Sequence, residues 1–202
     1  MNMPIIEELF DGESFSRFQE IRDLNETKYA AMLKQAYDDL RLDAFEFMSP
    51  WKSGTKHFIR VMLYGALIAM KLDLSDEDTK LLLIGCGYHD LGRCDDLKDK
   101  DLGARGAIRI EPIAGMIGIE GDDLHIVQAC MATSSTDADL LDYFMEVFRV
   151  GDQERCRKLS DCLRDACQFD EWRPGVVPEE CLQLDVSKAL LPFAGRFWLH
   201  LS

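Results

Sequence analysis

Apolar residues recur at helical spacing along most of the chain. Between Thr27 and about Leu42 they fall at intervals of three and four, at Tyr29, Met32, Leu33, Ala36, Tyr37 and Leu40. The same periodicity predicts helices over about Lys56–Lys71, Ser75–His89, 104–118, 122–133, 137–149, 154–168 and 185–199. Ser49–Pro50 and the stretch 170–178, which contains Pro and Gly, predict breaks. No segment alternates clearly enough for a strand, so the pattern predicts an all-α fold.

The helix that begins near Ser75 has clear signals at both ends. Ser75 is a good N-cap, and the acidic residues 76–78 place negative charge in the first turn, where the helix dipole favours it. Gly92 predicts the end of this helix, and a polar loop, Arg93–Leu102, follows. The chain is therefore expected to turn sharply just after residue 89.

Length and composition narrow the class of protein. The 202 residues suit a single domain. We predict that residues 1–45 form a helical N-terminal extension of this domain and that residues 50–200 form its core. Of the side chains, 23 are basic and 37 acidic, so the formal net charge is −14. This charge argues against extended nucleic acid and against anionic membrane as partners.

Location and redox state follow from the absence of targeting and cysteine signatures. The longest stretch without a charged residue, Leu124–Thr136, has 13 residues, whereas a membrane span needs about 20. The N-terminus lacks the basic and apolar regions of a signal peptide. Seven cysteines without Cys-x-x-Cys spacing indicate neither a disulfide framework nor a zinc knuckle. We expect a reduced, cytoplasmic protein.

Four polar residues stand at positions that the periodicity assigns to helix interiors or ends. They are His57 at a helix start, His89 and Asp90 at the end of the next helix, and Asp165 late in another. An acid or imidazole at a core position is costly unless it is paired or coordinated. Imidazole together with carboxylate suits Zn, Mn, Fe or another divalent ion. The pattern does not distinguish these ions from Mg, Co or Ni. The four residues are candidate ligands of one divalent metal.

The sequence around these residues resembles the HD-domain metal-dependent phosphohydrolases. The resemblance covers roughly Pro50–Phe197 and rests on Lys-His-Phe-Ile-Arg-Val at 56–61, Tyr-His-Asp-Leu-Gly-Arg at 88–93 and Leu-Arg-Asp-Ala at 163–166, followed by Asp170. In that family the pattern His, His-Asp, Asp ligates a divalent metal within a helical bundle. The resemblance therefore implies a bundle of the HD-domain type whose ligands are His57, His89, Asp90 and Asp165.

Two positions depart from the family's pattern. Many single-domain members carry a His-Gly after the polar loop and a His-Ser in a later helix, which serve a second metal or the substrate phosphate. This chain has Leu102-Gly103 and Thr133-Ser134 at those places. The departures favour one metal over two and weaken the expectation of efficient hydrolysis.

The chemistry expected of such a site is hydrolysis of a small phosphate ester, such as a nucleotide. A divalent ion polarises a phosphoryl oxygen and activates water. By analogy with the family, Asp90 would ligate the ion and orient that water as the catalytic residue. Developing phosphate charge needs cationic donors, and Arg93 and Arg60 each follow a ligand histidine or His-Asp pair closely enough to face the site. Both are predicted to bind substrate.

Two other hypotheses stay open. The chain is either a binding module for metal or nucleotide, on an HD scaffold that has lost activity, or an acidic helical interaction protein without metal. The distribution of charge bears on whether the chain can bind a small phosphorylated ligand. The acidity lies mainly in residues 1–50 (net −6) and 110–148 (net −8). Residues 51–109 carry net +1, so a small phosphorylated substrate remains compatible with the overall charge.

Overall fold

Nine α-helices make up most of the computed structural model, which describes residues 15–47, 55–95, 97, 99–171 and 177–201. The helices are α1 (Gln19–Asn25), α2 (Lys28–Asp38), α3 (Thr55–Leu72), α4 (Asp76–Tyr88), α5 (Leu102–Arg109), α6 (Gly121–Ser134), α7 (Leu141–Val147), α8 (Gln153–Glu171) and α9 (Asp185–Leu201). Short 3-10 turns lie at Leu42–Ala44, Glu111–Ile113, Ala138–Leu140 and Glu179–Cys181. These residues contain no strand, so the all-α prediction is confirmed.

The predicted helices agree with the observed ones at most places. Ser75 caps α4 as expected, since its Oγ accepts a hydrogen bond from the backbone N–H of Asp78 at 3.0 Å. The helix predicted over 104–118 is shorter: α5 ends at Arg109, because Pro112 has no N–H to continue the ladder. The predicted break at Ser49–Pro50, residues 1–14 of the extension and positions 172–176 of the 170–178 loop lie outside the described residues.

Helix α3 is the centre of the molecule. From Phe58 to Ala69 nearly every side chain on it is buried, and α3 packs against α4 on one side and α8 on another. Helix α6 covers the opposite side of α4 and α8, with α5 and α7 packed against α6. The core is thus a set of mutually packed helices in which α3, α4 and α8 meet.

An aromatic cluster joins the N-terminal helices to the last one. Phe18, next to α1, packs edge-on against Phe193 and Phe197 of α9, with ring centroids 5.7 Å apart in both pairs. Tyr64 of α3 and Phe169 of α8 lie 4.9 Å apart beneath them. Offset and edge-on aromatic pairs add to the stability from buried area alone. The described part of the N-terminal extension is therefore packed into the core rather than set apart from it.

A close approach of backbones fixes the turn after α4. A Cβ on Gly92 would lie 2.1 Å from the carbonyl oxygen of Leu102, and one on Gly103 would lie 2.2 Å from that of Met131. Only glycine allows these distances. Arg105 and Arg109 of α5 donate to the carbonyl oxygens of Gly92 and Leu91, respectively. Helix α5 therefore holds the residues that directly follow His89 and Asp90.

Candidate metal centre

Two histidines and an aspartate converge where the first turn of α3 meets the end of α4. Nε2 of His57 lies 2.9 Å from Nε2 of His89 and 3.5 Å from Oδ2 of Asp90. Nε2 of His89 lies 3.8 Å from Oδ1 of Asp90. Among the described residues this is the group of three whose donor atoms could hold a metal ion. All three side chains are buried.

The other nitrogen of each imidazole ring fixes where its lone pair points. Nδ1 of His89 lies 2.8 Å from the carbonyl oxygen of Cys86, so this nitrogen must carry a hydrogen and donate it. Nδ1 of His57 likewise contacts the carboxylate of Asp170. In the neutral rings, with both Nδ1 atoms protonated, the two Nε2 lone pairs face each other. Two basic nitrogens therefore meet at one point, where either a bound cation or a proton on one of the rings can lie between them.

The separation of the donor atoms fits a common ion. Ligands about 2.0–2.2 Å from a divalent metal lie about 2.8–3.6 Å apart for bond angles between 90° and tetrahedral. The observed separations of 2.9, 3.5 and 3.8 Å fall close to that range. Three protein ligands would leave coordination positions for water or substrate, as catalytic sites do. The residues present thus fit one divalent ion.

A second layer of charged residues surrounds the three. Asp170 lies at the end of α8, and its Oδ2 accepts a hydrogen bond from Nδ1 of His57. The same carboxylate contacts Arg60, whose Nη2 donates to Oδ2 at 3.2 Å. A carboxylate that accepts the far N–H of a ligand histidine orients the ring and raises its basicity. Sequence reasoning assigned no role to Asp170. The signal was its place on the buried stripe of α8, four residues after Ala166.

The two arginines predicted to bind substrate both contact acidic side chains. Arg60 is buried against Asp170, and Arg93 forms a two-pronged pair with Asp90: Nε donates to Oδ2 at 3.1 Å and Nη2 to Oδ1 at 3.0 Å. Such pairs match the planar fork of guanidinium to a carboxylate. Both arginines contact carboxylates of the candidate site, and their binding of substrate stays a prediction.

Burial and charge act against each other on these groups. Burial acts to lower the pKa of His57, but its contacts with Asp170 and Asp90 outweigh it and raise that pKa above its usual value. Burial lowers the pKa of His89. For Asp90, burial acts to raise the pKa, but His89, His57 and Arg93 hold it well below its usual range. Asp90 is therefore a carboxylate at neutral pH, suited to ligating a cation.

Asp165 does not join this group. It is fully buried on α8, and its two carboxylate oxygens accept the backbone N–H groups of Gln183 and Leu184, at 2.8 and 3.0 Å, just before α9. Burial raises its pKa, against the effect of these hydrogen bonds. The predicted fourth ligand therefore lies outside the three-residue group, and its carboxylate ties the start of α9 to α8.

The two positions that depart from the family's pattern are interior ones. Leu102 begins α5 and is buried, and the hydroxyl of Thr133 donates to the carbonyl of Ala129 within α6. His125, on α6, lies 3.9 Å from Asp122 and has 38% of its side chain exposed. None of these residues belongs to the three-residue group.

Comparisons with protein-family models, with curated proteins and with solved structures found no match. Within the described residues, no helix combines the length and the apolar character needed to cross a membrane.

Proposed function

We propose that this protein is a metal-dependent phosphohydrolase, on an HD-type helical scaffold, that uses one divalent ion to hydrolyse a small phosphate ester such as a nucleotide. The observation that carries the proposal is the convergence of two Nε2 lone pairs and the Asp90 carboxylate in a buried position. His57, His89 and Asp90 would hold the ion. When bound, it would supply Lewis-acid chemistry, which polarises a phosphoryl oxygen and acidifies water.

Charge at the site supports an anionic substrate. The ionised side chains form two pairs, Asp90 with Arg93 and Asp170 with Arg60, so their charges cancel. A divalent ion would therefore leave two positive charges uncompensated in a buried site, which favours binding of an anion such as phosphate. Arg93 has 14% of its side chain exposed and so lies nearer to solvent than Asp90 at 2%. It is the better placed arginine to contact a phosphate that arrives from outside.

Asp90 and Asp170 have different proposed roles. Asp90 would ligate the ion and orient the attacking water, and its lowered pKa suits a permanent carboxylate better than a base that must take up a proton. Asp170 would act through His57, whose Nδ1–H it accepts.

A test combines metal analysis with a screen of substrates. We expect purified protein to retain or bind one divalent ion per chain and to release phosphate from at least one compound in a panel of nucleotides and phosphorylated metabolites. His89→Ala and Asp90→Asn should lower that release by about a hundredfold or more. His125→Ala is the matched control, and it should leave the rate within about twofold. No bound metal, or phosphate release that His89→Ala leaves unchanged, would refute the proposal.

A second candidate is a metal or nucleotide sensor on the same scaffold without turnover. It is favoured by the contacts of Arg60 and Arg93, which both hold carboxylates, and by the absence of imidazoles at 102 and 133. It predicts that a nucleotide raises the melting temperature only when metal is present, with no phosphate released. Turnover that Asp90→Asn abolishes would rule it out.

A further inference from the structure

A groove with acidic ends lies between α2 and α4. It encloses about 560 Å³ and is lined chiefly by Met32, Ala36, Leu83, Ile84, Tyr88 and Ile117. We call it the α2–α4 groove. The three residues of the candidate metal centre are not among its lining residues.

The two helices that form the α2–α4 groove run in the same direction. At their N-terminal ends Lys28 pairs with Asp76, and the hydroxyl of Tyr29 donates to the carbonyl of Leu74 at 2.9 Å. Beyond their C-terminal ends the backbone N–H of Arg41 donates to the hydroxyl of Tyr88 at 2.8 Å. Parallel helices leave an extended channel whose two ends are the two ends of the helices. A third helix packs naturally into such a channel.

Charge is concentrated at the ends of the α2–α4 groove. Asp76 and Glu77 line it at the N-terminal end and Asp39 at the C-terminal end. The pairing of Lys28 with Asp76 sets the two helices side by side, so Asp39 lies about ten residues further along α2 than the level of Glu77 on α4. At 1.5 Å per residue the two ends are about 15 Å apart. That distance is close to three turns of helix. Between the ends the lining is mainly apolar, apart from Gln35 and Lys80.

The acidic ends carry little compensation. Asp76 has Lys28, but neither Asp39 nor Glu77 has an ion pair within the described part of the chain, where Asp39 accepts only an amide hydrogen bond from Gln35. Among the described residues that line the groove, Lys80 is the one basic side chain, and its ammonium group donates to the carbonyl of Gly118. An apolar channel with a carboxylate at each end is complementary to an apolar helix face with a cation at each end.

We propose that the α2–α4 groove binds a cationic amphipathic helix of a partner protein. Apolar side chains on one face of that helix lie against Met32, Ala36, Leu83 and Ile84, and lysines or arginines about three turns apart meet Glu77 and Asp39. Residues 1–14 of this chain fit less well, since they contain four acidic residues and no basic one. A second copy of this chain would bring acidic ends against acidic ends.

The test uses a synthetic peptide of about 18 residues, with two lysines about eleven residues apart on one helix face and two leucines between them. Titrated into the full-length protein, it should bind with a dissociation constant below about 100 μM, and 0.5 M salt should weaken binding at least about fivefold. Asp39→Lys with Glu77→Lys should weaken binding at least about tenfold. Asp139→Lys with Glu146→Lys changes the net charge equally on exposed residues outside the groove, and it should change the affinity by less than about threefold.

Other outcomes overturn the proposal. Ala36→Arg, which places a bulky cation in the apolar middle, is an independent block, and unchanged affinity in this folded variant would contradict the groove as the site. Equal binding of a peptide with glutamates in place of the lysines would exclude charge recognition.

An affinity that rises with Ile5→Glu and Ile6→Glu would show that the chain's own N-terminal residues occupy the groove. A dimer that Ala36→Arg dissociates would assign it to a second copy, and no binding below about 1 mM ends the proposal.

Discussion

Replacing Asp165 by Asn separates the structural role of this carboxylate from the predicted role as a metal ligand. In the wild type both oxygens accept backbone N–H groups, from Gln183 and Leu184. The Asn side chain has the same shape but retains one acceptor, and its NH₂ group faces an N–H donor. One hydrogen bond to a charged group is therefore lost, and one part-buried backbone N–H loses its side-chain partner.

The expected loss of stability follows from these two contacts. A hydrogen bond to a charged group contributes about 1.5–3 kcal/mol. Burial of the charge, which raises the pKa of Asp165, offsets part of this contribution. We expect Asp165→Asn to lower the free energy of unfolding by about 2 kcal/mol, which for a chain of this size lowers the melting temperature by about 4–8 °C.

The assay pairs chemical denaturation with metal titration by calorimetry at neutral pH. Because Asp165 lies outside the three-residue group, metal affinity in the folded variant should stay within about threefold of the wild type. Asp161→Asn, one turn earlier on α8 and partly exposed, is the control and should change stability by less than about 1 kcal/mol. If Asp165→Asn instead leaves stability intact and weakens metal binding by tenfold or more, the reasoning from its hydrogen bonds is refuted.

Three further predictions concern the surroundings of the centre. Asp170→Asn should weaken metal binding about 10–100-fold, because His57 loses the carboxylate that orients its ring; an unchanged affinity in calorimetry would contradict this role. Gly92→Ala should destabilise the protein by about 3 kcal/mol or more, since a Cβ would lie 2.1 Å from the carbonyl oxygen of Leu102, whereas Gly115→Ala, with open space around its Cβ, should cost under about 1 kcal/mol; similar melting temperatures for the two variants would refute it. The pKa of Asp170 is lowered by His57 and Arg60 against burial, so its contribution to stability is present above its unfolded pKa and is lost as pH falls. In metal-free samples Asp170→Asn should therefore flatten the fall in melting temperature below about pH 5, and an identical slope would contradict the assignment.

The helices could be predicted from the sequence because their signals are local. The apolar stripes of α3, α4 and α8 and the cap at Ser75 depend on residues three or four apart. The grouping of His57, His89 and Asp90 was inferred from the cost of burying such side chains unpaired and from the resemblance to a family, because neither segment alone specifies how α3 packs on α4. Helix α5 was predicted too long because a continuing apolar pattern concealed the effect of Pro112.

The different surroundings of Asp165, the predicted ligand, and Asp170, which contacts His57, have a geometric cause. Residues 165 and 170 are five positions apart, which on a helix is a rotation of about 140°. They therefore face different neighbours: Asp165 meets the backbone before α9, and Asp170 meets His57. Sequence periodicity shows that both positions are interior. Which one faces α3 depends on how α8 is rotated against α3 and α9, and that is set by long-range packing.

The pairing of each buried carboxylate with its own arginine bears on the order of folding and metal binding. Asp90 and Asp170 have Arg93 and Arg60 as partners from the same chain, and His89 has a backbone carbonyl. The chain therefore balances the charges of these four side chains itself, before any ion is added. On the proposed function, metal binding can then follow folding rather than be part of it, because neither buried carboxylate depends on the ion for a partner.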